Sequence, residues 1–225
     1  MSAILDGPRR MPASGRADAL VVLVHGYGAN GEDLIALADH WRAHLPNAAF
    51  VAPNAPEPLP FAGFGGFQWF ELTTRSPDER WAGTQKAAPA LQHFISVELQ
   101  RLGLGAQRLA LVGFSQGTML SLHVGLRMSP SPAAILGYSG IIAGPEHLGQ
   151  ARAGRAPGDQ PQILLVHGEE DDVIPADALP LTTNALAAAG LASSWHLSPE
   201  LGHGIDMQGL ELGGRFLQQV LGQPA

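Results

Sequence analysis

The chain contains no cysteine, which removes disulfides, thiolate catalysis and cysteine-ligated zinc together and leaves the redox compartment open. Lysine is almost absent too. Lys86 is the only one, and lysine and arginine together number 13 against 20 acidic residues, for a net charge of −7. Such a chain offers no footprint for nucleic-acid phosphates. It is repelled by an anionic membrane surface, and its sign disfavours strongly anionic substrates. Charged residues of both signs make up only 15 %, against roughly 25 % in an average soluble domain. Long apolar runs are missing as well. The weakly polar stretch 133–144 is too short and too rich in glycine to span a bilayer. No apolar segment follows Arg9 and Arg10, so no signal peptide and no integral membrane segment are expected, and the protein is expected to be cytoplasmic.

What the sequence does have is apolar mass: 45 % of 225 residues, enough for a sizeable core and incompatible with a disordered chain. Short runs rich in Val, Leu and Ala, at 19–24, 48–52, 109–114, 133–138, 162–166 and 193–197, alternate with helical patterns. Several are continuously apolar, as parallel strands covered on both faces must be. Leu34, Leu37, Trp41 and Leu45 recur at helical spacing, as do Leu91, Phe94, Ile95, Leu99 and Leu102, with Pro89 expected to start or kink the second helix. Further helices are expected at about 116–128, 177–189 and 205–221. The alternation predicts one open, mostly parallel α/β sheet with helices on both faces. Residues 1–225 read as a single domain, 1–18 being an N-terminal extension that could supply an edge strand, with long loops at 53–81 and 143–161.

Gly113-Phe114-Ser115-Gln116-Gly117 follows an apolar strand and opens a helix. In that context G-x-S-x-G describes a turn so sharp that only glycine fits on either side of the serine. The turn lifts the Ser115 hydroxyl above the sheet and aims the backbone N–H of Gln116 at a developing oxyanion. An ordinary serine cap explains the hydroxyl but not the paired glycines.

A serine nucleophile needs a histidine base, itself oriented by a carboxylate, in the chain order serine, acid, histidine. Of the nine histidines, His203 sits between glycines after the final strand and before the last helix, at the sheet edge that carries Ser115. His40, His44 and His93 fall in helical patterns, His123 lies two turns beyond Ser115, and His196 is within a strand. The acid belongs to the run Glu169-Glu170-Asp171-Asp172, most of which must be solvated. Spacing does not choose between Asp171 and Asp172.

These residues resemble the phospholipase/carboxylesterase family of α/β-hydrolases, which includes acyl-protein thioesterases. The resemblance runs from about Ala19 to Leu221 and is carried by His25-Gly26-Tyr27-Gly28, Pro53-Asn54-Ala55-Pro56, Gln68-Trp69-Phe70, the Ser115 pentapeptide, His167-Gly168-x-x-Asp171-x-x-Ile174-Pro175 and Gly202-His203. It implies the α/β-hydrolase fold, Asp171 as the acid, the Tyr27 backbone N–H as second oxyanion donor, a structural His25, and Trp69 and Phe70 in the substrate pocket. It implies no cofactor and no metal. The expected activity is hydrolysis of carboxylic esters of short to medium acyl chains, including thioesters, through an acyl-enzyme. The expected partner is a small-molecule or lipid-like ester, with acyl-protein thioesterase or lysophospholipase action as the alternative. The expected assembly is a monomer or homodimer. The stretch 61–70 departs from the family pattern in its wealth of Phe and Gly.

Two rivals remain. Gly26-x-Gly28-x-x-Gly31 is a literal dinucleotide fingerprint, but the following strand ends in Val51-Ala52-Pro53-Asn54 without the acid that a ribose requires. A non-catalytic binding relative would normally lack one of the three catalytic residue types, and all three are here.

Overall fold

The computed structural model describes residues 4–59, 65–156 and 158–222. The strands are β1 (Arg9–Arg10), β2 (Ala19–Val24), β3 (Ala48–Val51), β4 (Glu57–Pro58), β5 (Phe67–Gln68), β6 (Leu109–Phe114), β7 (Ala134–Tyr138), β8 (Gln162–Gly168) and β9 (Ser194–Ser198). The α-helices are α1 (Gly31–Ile35), α2 (Leu37–Trp41), α3 (Pro77–Leu102), α4 (Gln116–Gly125), α5 (Leu148–Arg152), α6 (Ala178–Ala188) and α7 (Met207–Leu221).

Seven strands form one sheet in the order β1-β3-β2-β6-β7-β8-β9, and β4 and β5 form a separate antiparallel pair. All pairings in the large sheet are parallel except that of β1, which runs antiparallel along β3 at the edge. The chain leaves β2 for β3 on one side and returns to β6 on the other. This order reversal opens a crevice at the carboxyl ends of β2 and β6, where α/β sheets bind their ligands.

The strand period of two sorts side chains between the faces. Leu20, Val22, Val24, Leu109 and Leu111 pack with Leu91, Phe94, Ile95, Leu120 and Val124 of α3 and α4. Val21, Leu23, Ala110 and Val112 pack on the other face with Trp41, Leu210 and Leu217 of α2 and α7. Residues from both faces of β2 and β6 are fully buried, which is why those strands read as unbroken apolar runs. Among the described residues no helix is long and apolar enough to cross a membrane.

Element boundaries differ from the sequence expectation in three places. The helix expected at Pro89 starts twelve residues earlier, with Ser76 as its cap, and runs through the proline. The first helix is broken into α1 and α2 at Ala36. The 143–161 loop contains a turn of 3-10 helix and α5.

Candidate active site

Ser115 follows β6 with φ 55° and ψ −115°, a strained conformation for a residue other than glycine. It is held by its N–H, which donates to the Tyr138 carbonyl oxygen at 2.9 Å, and by its carbonyl, which receives the Thr118 N–H at 3.0 Å. A Cβ on Gly117 would stand 1.8 Å from the Val24 carbonyl oxygen. That contact states in distances why the turn needs its second glycine.

His203 and Asp171 meet through a similar close approach. A Cβ on Gly168 would lie 2.3 Å from the carbonyl oxygens of Leu201 and Gly202, so the end of β8 and the loop after β9 touch through backbone. Asp171 Oδ2 then accepts from His203 Nδ1 at 2.8 Å, while Oδ1 accepts the N–H groups of Val173 (3.0 Å) and Ile174 (2.9 Å). Burial pushes the Asp171 carboxyl up, but the bonds from Ile174 and His203, with the imidazole's charge, outweigh it and hold the group below its usual range. The second ring, His167, donates from Nε2 to the Ile174 carbonyl oxygen (2.8 Å) and stands 3.4 Å from Asp171 Oδ2. Asp172 points to solvent. Among the described residues His203 Nε2 has no hydrogen-bond partner, and Phe114 packs on the ring at 4.9 Å between centroids.

Ser115 and His203 line one cavity of about 650 Å³, with Tyr27 at its wall. The Gly26–Tyr27 loop lies against the nucleophile, since a Cβ on Gly26 would be 3.3 Å from Ser115 Cβ. His25 fixes that loop: its Nδ1 bonds the Gly26 carbonyl oxygen (2.7 Å) and its Nε2 accepts the Ala55 N–H (3.0 Å). Burial pushes the His25 imidazole down, a neutral ring suited to this bracing role. Asn54 Oδ1 accepts the Gly31 N–H at 2.8 Å. Gly31 thus opens a five-residue helix bonded to Asn54, and the glycine loop borders Ser115. Among the described residues, the backbone N–H groups of Tyr27 and Gln116 have no acceptor.

Trp69 and Phe70, expected in the substrate pocket, are not among the residues that line this cavity. Both are 1 % exposed and belong to the core beneath the loop. The Gln116 side chain clamps them there, with Oε1 accepting the Trp69 N–H at 3.0 Å and Nε2 donating to the Phe70 carbonyl oxygen at 2.8 Å. The Trp69 indole N–H donates to the His25 carbonyl oxygen at 2.9 Å. Phe61 and Phe64, also in the aromatic stretch, lie outside the described residues. The cavity wall is built by Leu72, Met119, Ile141, Val173, Ile174 and Leu181, with Arg75, Arg80 and Asp177. These residues come from four separate segments and carry no shared sequence pattern.

The other histidines stand elsewhere. His40 and His93 are exposed on helices, and His44 sits in the turn after α2, 3.3 Å from Glu211. His123 is buried against Trp81. Among the described residues no group of three or more His, Asp or Glu side chains is arranged to hold a metal ion.

The family model for phospholipase/carboxylesterase matches residues 8–221. Acyl-protein thioesterase 1 of Gibberella zeae is 26 % identical, over 98 % of each chain. Esterase YpfH of Escherichia coli is 28 % identical, over 87 % of this chain and 80 % of that protein. The crystal structure of esterase PE8 is 39 % identical and superposes with a TM-score of 0.90, covering 97 % of this chain and all of that one, 100 %.

Proposed function

The chain belongs to the phospholipase/carboxylesterase family and is a carboxylic ester hydrolase, and we propose that Ser115, His203 and Asp171 are its nucleophile, base and orienting acid. The observation that carries this reading is the 2.8 Å bond from His203 Nδ1 to Asp171, in a ring that shares its cavity with Ser115. Ser115 Oγ attacks the ester carbonyl as His203 Nε2 takes its proton. Asp171 fixes the tautomer and stabilises the imidazolium. The oxyanion is received by the N–H groups of Tyr27 and Gln116, which are otherwise without acceptors. Collapse expels the alcohol with the proton from His203. Water, deprotonated by the same ring, then releases the acid and restores Ser115.

The apolar wall supports short to medium acyl chains as substrates. A thioester carbonyl is open to the same attack, and the Gibberella zeae relative is named for that activity. We read residues 1–225 as one domain, and the enzyme as cytoplasmic.

Rates on p-nitrophenyl esters of graded length, beside an acyl thioester, test the reading. Ser115→Ala is expected to abolish turnover. Asp171→Asn should lower kcat on the order of 10⁴-fold, with Asp172→Asn close to wild type. The reverse ranking of the two aspartates contradicts the assignment.

A further inference from the structure

The cavity that holds Ser115 and His203 carries a charge opposite to that of the chain. Its wall includes Arg75 and Arg80 against one carboxylate, Asp177, in a protein of net charge −7. Among the described residues neither guanidinium forms a salt bridge.

The segment before α3, which carries Arg75, is tied to the first turn of α3, which carries Arg80. Glu79 accepts the backbone N–H groups of Thr73 (2.7 Å), Thr74 (2.9 Å) and Arg75, and Arg80 Nη1 donates to the Arg75 carbonyl oxygen. Arg75 is thereby held at φ 56°, a left-handed backbone that disfavours a long side chain. Arg80 is half-buried, and its Nε is buried without a hydrogen-bond partner. Burial works against its charge, and Glu79 offsets only part of that. Among the described residues the exposed Arg75 side chain has no hydrogen bond or ion pair, so its charge is available to an anion in the cavity.

We propose that the cavity selects esters bearing a carboxylate, which Arg75 and Arg80 bind while the apolar wall of the same cavity takes the rest of the chain. The proposal rests on the ester-hydrolase reading and specifies its substrate class. It also reverses the expectation drawn from net charge, because recognition follows the local field and not the sum.

Two pairs of esters test it. In the first, p-nitrophenyl hexanoate is compared with the mono-p-nitrophenyl ester of adipic acid, which adds a carboxylate to the acyl end. In the second, the aryl leaving group is compared with and without a carboxylate. The readout is the carboxylate-to-neutral ratio of kcat/KM, compared between wild type and variant so that intrinsic reactivity cancels. Arg75→Asn removes the charge with a residue that accepts left-handed backbone. Arg80→Gln, which removes the charge and keeps the apolar stem, is the second variant. The ratio is expected to fall about tenfold in each, the scale of one charge-assisted hydrogen bond. The pair in which it falls identifies the side of the ester that carries the anion. An unchanged ratio in both pairs, with neutral esters still hydrolysed by the wild type, overturns the proposal and leaves the ester-hydrolase reading standing. Absence of turnover of every ester, with no covalent adduct at Ser115, defeats both.

Discussion

Asp171 and Asp172 are adjacent, identical in chemistry and opposite in fate. Asp171 is buried and receives Val173, Ile174 and His203, whereas Asp172 is exposed. Another buried side chain leaves a signature in stability. Burial, aided by the charge of Arg127, pushes the His123 imidazole down to about 4, against about 6.5 in an unfolded chain. Between those values the unfolded chain takes up a proton that the folded one refuses, so stability falls as pH drops from about 6.5 towards 4. Allowing for partial solvent screening, the loss is about 2 kcal/mol. In His123→Phe that part of the slope is expected to vanish when urea denaturation is followed across the window; an identical slope contradicts it. The elbow serine and the glycine-flanked histidine were legible in the sequence, because strand, turn and helix signals coincide there. The acid was not legible from spacing, because the choice depends on which carboxylate two backbone N–H groups can reach. Trp69 and Phe70 pack in the core: an aromatic cluster announces burial but not the face it occupies, and the Gln116 contacts that hold it there span more than forty residues of sequence.

Helix α3 shows where local rules yield to packing. Pro89 lies on its exposed side, so the carbonyl that loses its partner faces water while Leu91, Phe94 and Ile95 stay packed. Near its end, Glu98 is 1 % exposed and is gripped from both sides. Arg9 Nη2 in β1 reaches one oxygen at 2.7 Å, and Arg101 Nη2 reaches the other at 2.7 Å. The pair with Arg9 spans 89 residues of sequence, which is why helical periodicity gave no sign of it. Removing the carboxylate takes the ion pair from Arg101 of α3 and leaves Arg9 of the edge strand with Asp6 alone. Glu98→Ala is expected to cost about 3 kcal/mol, the low end for a broken buried pair because both arginines reach solvent. It should also speed amide exchange at Arg9 and Arg10. A cost below about 1 kcal/mol in chemical denaturation contradicts the role assigned to this contact.

For the molecule as a whole, the sheet's order reversal does the work of assembly. It sets the loop after β2 beside the turn after β6, and the neighbouring β8 and β9 deliver Asp171 and His203 to the same edge. That architecture was legible because buried parallel strands cannot hide their apolar runs, and alternation with helices leaves few topologies. Cavity charge was not legible, since Arg75 reaches the site from the loop before α3 and Arg80 from the first turn of that helix, the two joined through Glu79 and the Arg75 carbonyl. The central claim is that three distant segments form one proton relay acting on Ser115. Intact-mass measurement after exposure to a fluorophosphonate tests it most directly. Wild type is expected to gain a single adduct, mapped to Ser115, with labelling slowed by orders of magnitude in His203→Ala and absent in Ser115→Ala. An adduct on another residue, or labelling as fast in His203→Ala as in the wild type, would contradict the account.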